Sequence, residues 1–146
     1  MKWLVLLVIL GFFAVAGPAQ AGERRLSLLQ KDPASWQAVS GGARGRLIFD
    51  EAEGGFVLNA HRLLPATDYA LVRYAGRPPW GHILARGVSD GQGRLRLSGF
   101  WAEWSKKIWL VLGADVAGHA GDSGPAGLDR LKGWNPRAYL FEEEGL

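Results

Sequence analysis

Apolar and polar residues alternate with a period of two in several short runs of this chain. Between Arg44 and Asp50, Leu47 and Phe49 share one face. Between Phe56 and His61, Phe56, Leu58 and Ala60 share a face, with Asn59 and His61 opposite. Leu95 and Leu97 alternate with Arg94, Arg96 and Ser98, so the run Gly93–Gly99 has one wet face. Such alternation, bounded by Gly, Pro, Asp and Asn, marks half-buried antiparallel strands. Turn chemistry lies between the runs: Glu51–Gly55, Leu64–Asp68 with Pro65 presetting φ, and Asp90-Gly91-Gln92. Further strands are predicted over Tyr69–Ala75, His82–Ser89 and Ala138–Glu142, and Leu26–Leu28 adds an edge strand. Gly76–Gly81 is a loop, because consecutive prolines cannot donate to a ladder.

Lys107–Leu112 departs from this alternation. It is apolar on both faces, as expected of a central strand covered on both sides. Asp32-Pro33 starts a short helix, with Asp as N-cap and Pro at the first helical position, and Ser40-Gly41-Gly42 stops it. The sum is about seven strands with one short N-terminal helix. The predicted fold is an all-β antiparallel two-sheet sandwich of immunoglobulin-like type, with a small closed barrel as the alternative.

Residues 1–21 carry a different pattern. Lys2 precedes an apolar run from Trp3 to Ala16, Gly17-Pro18 breaks it, and Ala19-Gln20-Ala21 has the form of a cleavage site. The run is shorter than the ~20 residues a membrane helix needs. The expectation is a cleaved secretory signal over residues 1–21 and one domain over residues 22–146, exported to the periplasm or the medium, with no stable membrane span after cleavage. The chain contains no Cys, so the domain must hold together through its core. Once Lys2 leaves with the signal, 16 basic residues face 14 acidic ones. That balance is too even for a nucleic-acid footprint, which needs clustered Lys and Arg.

Several residue groups invite a chemical reading. Gly121-Asp122-Ser123-Gly124-Pro125 looks like the serine motif of trypsin-like proteases, but one short domain cannot build the two barrels and separate His that such a triad requires. The Gly-rich loop from Gly113 to Pro136 holds Asp115, His119, Asp122 and Asp129, the densest cluster of potential ligands. Their spacing fits no Ca²⁺ loop, and they are expected to be solvated. His61, His82 and His119 lack zinc-site spacing. Asp50, Glu51 and Glu103 have no fixed paired separation for glycoside chemistry. No catalytic residue, cofactor or metal ligand is therefore predicted, and the chain is read as not an enzyme.

Aromatic residues offer the remaining signal. Trp80, Trp101 and Trp104 fall in predicted loops and are the candidates for stacking on a sugar or a protein partner, or else for plugging the ends of the core. Trp36, Trp109 and Trp134 read as core. The expected function is a binding or structural protein of the cell envelope, whose partner is an envelope protein or a glycan. The alternatives are a carbohydrate-binding module built on the loop Trp residues and, further off, a small hydrolase or metal-binding protein.

The segments Lys31–Trp36, Gly41–Gly45, Leu64–Leu71, Lys107–Leu112, Gly133–Pro136 and Tyr139–Phe141 resemble those of a group of small secreted proteins of archaea and bacteria with no assigned function. The resemblance implies an extracytoplasmic β-sandwich and no particular activity.

Overall fold

The computed structural model describes residues 22–74, 80–101, 107–119 and 129–143. The leader, Trp104, Glu103 and the Gly121–Pro125 motif lie outside them, as do the side chains of Trp80 and Asp129. Among the described residues the strands are β1 (Glu23–Leu29), β2 (Arg44–Asp50), β3 (Gly55–His61), β4 (Asp68–Tyr74), β5 (Trp80–Val88), β6 (Leu95–Phe100), β7 (Ile108–Leu112), β8 (Asp129–Arg130) and β9 (Phe141–Glu142). They form two antiparallel sheets in the orders β6-β3-β2-β1-β9 and β7-β4-β5-β8. The all-β, two-sheet architecture is as the alternation predicts.

In the first sheet the alternation becomes rows of inward side chains. Leu26, Leu47, Leu58 and Leu97 are register partners across four strands, and all are buried. The next row is Leu28, Gly45, Ala60 and Leu95, and beyond the Leu row Phe49 pairs with Phe56 and Phe56 with Gly99. Gly99 makes room for the large ring, since a Cβ there would lie 2.9 Å from Phe56 Cζ. The other face is largely polar and wet, the usual division in an antiparallel sheet, although Ile48 and Val57 lie half-buried on it and Phe100 stands exposed.

The second sheet is buried on both faces. Tyr69, Leu71, Leu84, Ile108 and Leu110 join the core between the sheets. Ala70, Val72, Ile83 and Val111 face outward into a second core, roofed by Val116, Tyr139 and Phe141. This explains the two-faced apolar run Lys107–Leu112, but not through a central position. β7 is the outermost strand in its sheet order, and the C-terminal segment covers it. Leu110 and Leu140 exchange both backbone hydrogen bonds, each at 2.9 Å. One residue later, Phe141 and Glu142 pair with β1 of the other sheet. The segment thus stitches the two sheets along one edge, a partial closure in the direction of the barrel alternative.

Three local expectations change. β1 is longer than the predicted edge strand and pairs with β2 along its length and with β9 at Leu28 and Leu29. The helix after Asp32 is a single turn. Asp32 does act as the cap, its carboxylate accepting the N–H groups of Ala34 at 2.8 Å and Ser35 at 3.1 Å. Trp36, however, takes φ of 59°, a left-handed conformation that ends the turn, and Lys31 bridges Ala38 so that the chain doubles back. The loop from Gly113 to Pro136 is also not without structure: it holds a 3₁₀ turn at Gly113–Asp115, a bridge from Val116 to Leu131, and β8.

Leu58 is fully buried at the centre of its row. Leu58→Ala is expected to lower the unfolding free energy by about 3 kcal/mol in a denaturant melt, the usual cost of such a cavity. Arg46→Ala, on the wet face of the neighbouring strand, should change it by less than about 0.5 kcal/mol.

Candidate functional site

The turn at Pro33–Trp36, Trp109 on β7, and the stretch Gly133–Phe141 meet on the outer face of the second sheet. Phe141 is the hub. It is 1% exposed, and its ring centroid lies 4.5 Å from Trp36, 4.8 Å from Trp109, 6.0 Å from Tyr139 and 6.2 Å from Trp134. Trp134 also packs edge-on against Tyr139 at 5.6 Å and tilts against Trp109 at 5.9 Å. The hub is buried but two of its partners are not: Trp36 is 36% exposed and Trp134 is 53% exposed. Both were expected in the core. Each sits in a turn segment that reaches the hub from outside, so it buries one side and leaves the other in water. Trp109 is half-buried beneath them.

A buried polar network holds this surface in place. The Tyr139 hydroxyl donates to Asp115 Oδ2 at 2.5 Å, and the Asn135 amide donates to both Asp115 oxygens at 2.9 and 3.1 Å. The Tyr139 oxygen in turn accepts the Asn135 N–H at 3.1 Å, and the Lys132 N–H reaches the Asp115 carbonyl at 2.8 Å. Gly133 is required here, because a Cβ at this position would lie 2.2 Å from Asp115 Oδ1. Asp115 is 7% exposed and is therefore not the solvated loop residue that its Gly-rich surroundings suggested. Its carboxylate ties the turn after β7 to the segment that carries Trp134. His119 is exposed, Asp122 lies outside the described residues, and no three potential metal ligands converge among those described.

Beside Trp134 lies a cleft of about 450 Å³, lined in part by Pro33, Asn135, Pro136 and Arg137. Gln30 braces it: its amide donates to the Arg137 carbonyl at 3.1 Å and its Oε1 accepts the Ala43 N–H at 3.0 Å. On the Trp36 side, Lys31 is only 5% exposed, and its Nζ sits 5.5 Å from the Trp36 ring centroid. Backbone hydrogen bonds from Ser35 and Ala34 hold the Asp32 carboxyl below its usual range, with Arg137 adding a smaller electrostatic pull.

Of the residues expected to stack, Trp101 has a described side chain. Trp101 is half-buried and packs against the main core, 5.2 Å from the His82 ring and 5.1 Å from the Arg73 guanidinium. It plugs an end of the sandwich. Trp80 opens β5, paired with Arg130 of β8, instead of lying in the predicted loop; its side chain lies outside the described residues, as does Trp104. His61 is exposed on the wet face of β3, across from Arg44 on β2, whereas His82 adjoins Trp101. Glu51 pairs with Arg24, and Asp50 accepts the Ala52 N–H. The signal that would have found the exposed pair is local. Trp36 and Trp134 stand among Pro, Asp, Ser and Asn, which form turns, and turns lie on the surface.

Asp115→Ala removes the acceptor of the Asn135 amide and the nearer of two acceptors of the Tyr139 hydroxyl, which keeps the Gly133 carbonyl at 3.3 Å, and should cost about 1–2 kcal/mol in a denaturant melt. Burial, then the bond to Asp115, raise the Tyr139 hydroxyl well above the usual tyrosine range. A pKa raised on folding contributes stability that is complete below the unfolded value and is lost as pH climbs through the folded one. Melting temperature should therefore fall as pH passes about 10, where an unfolded tyrosine ionises. Tyr139→Phe should flatten part of that fall; an unchanged alkaline profile would show that Tyr139 does not carry it. No protein-family model matches the chain, and no curated protein or solved structure matches it either.

Proposed function

We propose that this chain is an exported, non-catalytic binding domain of the cell envelope, and that it takes a glycan on the Trp36–Trp134 face. The observation that carries this reading is the exposure of two indoles on one buried hub, beside a cleft. Large apolar side chains held out in water mark interaction surfaces when they cluster. A pyranose ring has a C–H face that packs on an indole, and hydroxyls that need donors and acceptors at the rim. Asn135 and Arg137 stand at that rim. The stacking residues are thus Trp134 and Trp36, in place of the loop set Trp80, Trp101 and Trp104. We read the sandwich as an immunoglobulin-like frame in this sense: a rigid pair of sheets that presents a binding face.

The surface is preformed. Trp134 is positioned by Tyr139, Trp109 and Phe141, and its loop by the Asp115 network, so a ligand meets rings that need little ordering. Export fits the same picture, since residues 1–21 have the composition of a cleaved leader.

Two measurements test these readings. Intact mass of the protein recovered from its host should correspond to a chain that starts at Gly22; a mass that retains Met1–Ala21 rules out the cleaved leader. Titration with a panel of β-linked gluco- and N-acetylgluco-oligosaccharides and oligouronates should quench tryptophan fluorescence. Trp134→Ala should weaken that binding at least tenfold with the fold intact by circular dichroism, as loss of a central aromatic anchor does. A panel with no binder refutes the glycan reading.

A further inference from the structure

We infer that the glycan taken by this face is acidic, and that Lys31 receives its carboxylate. The inference rests on the Trp36–Trp134 reading and adds the charge of the ligand to it. Lys31 is almost wholly buried, and among the described residues its ammonium contacts the Trp36 ring. The ion pairs among the described residues join Arg24 to Glu51, Arg25 to Glu23, Arg86 to Asp68 and Arg94 to Asp90, and none of these carboxylates reaches Lys31. The neighbouring Asp32 carboxylate is spent on the N–H groups of Ala34 and Ser35.

A lysine stem often lies along apolar surface with its head in water. Here the residue as a whole is 5% exposed, so the head has given up most of its water as well. The face of an indole returns part of that loss, and an oxyanion returns more. Arg137 lines the cleft on the Trp134 side and forms no ion pair among the described residues. Two cations therefore flank the exposed rings. A bare inorganic anion would make no use of the indoles, and a neutral sugar would leave the ammonium as it is. A uronic acid uses both, its ring stacked on an indole and its carboxylate directed to Lys31.

The test uses the mature chain and oligomers of galacturonate, glucuronate and mannuronate, each beside its methyl ester. Calorimetry at low salt should show at least one free acid binding tenfold or more tighter than its ester. Lys31→Met, which keeps the stem, should shrink that ratio below about twofold, and Lys31→Arg should preserve it. Raising salt to 0.5 M should weaken the acid and leave the ester unchanged, because only the charge contact is screened. This salt arm reads the charge contact even if Lys31→Met fails to fold. Equal binding of acid and ester, lost in Trp134→Ala, overturns the role of Lys31 and leaves the glycan surface standing. Displacement of the acid by an equal concentration of inorganic phosphate overturns the uronate assignment. No binding of any acid, ester or neutral oligosaccharide overturns both readings.

Discussion

The pairing of Leu140 with Leu110 is the contact on which the rest of the molecule depends. Through it the C-terminal segment becomes the neighbour of β7, and one residue later the same segment becomes the neighbour of β1. Side chains alternate along an extended segment, so the consequences follow in order. Leu140 points into the core between the sheets, while Tyr139 and Phe141 turn to the outer face. Without the pairing, the outer face of the second sheet would expose Ala70, Val72, Ile83 and Val111. With it, that face acquires a roof, and the roof holds up two indoles.

The roof is secured by polar chemistry as well as by packing. Asp115 is a carboxylate in a buried place, which is costly unless its oxygens are satisfied. Tyr139 and Asn135 satisfy both of them. The same three residues tie the turn after β7 to the segment that carries Trp134, so the site inherits the rigidity of the core. The turn at Asp32–Trp36 is fixed by separate means, the Asp32 cap and the Lys31–Ala38 bridge. Two independently braced segments therefore converge on the ring of Phe141.

The frame was legible in the sequence where one face of a strand is wet. Leu47 and Phe49, Phe56 and Leu58, and Leu95 and Leu97 announce their strands, because alternation is what a half-buried strand requires. The second sheet was less legible. A strand covered on both faces shows no period, so Lys107–Leu112 revealed its burial but not what covers it. The site was mostly hidden for a related reason. A tryptophan has the same letter whether it plugs an end, as Trp101 does, or stands in water, as Trp134 does. Only the packing decides, and part of it comes from distant segments, as Trp109 does for Trp134 and His82 does for Trp101. Asp115 misled in the same way: Gly-rich surroundings suggest solvent, and the partners that bury it arrive some twenty residues later. The Asp32 cap was read correctly, but the left-handed Trp36 that cuts the turn short leaves no mark in composition.

The stitch between β1 and β9 also orders events in time. Its partners, Leu28 and Leu29 with Glu142 and Phe141, stand near opposite ends of the described chain. Contacts between such distant residues carry the largest loop-closure cost. A chain that emerges from its amino end can assemble the β1–β2–β3 meander early, but the outer core and its aromatic face cannot exist until the final strand has appeared. The aromatic face is thus the last part of the described domain that a growing chain can complete, because its hub, Phe141, lies in the final strand.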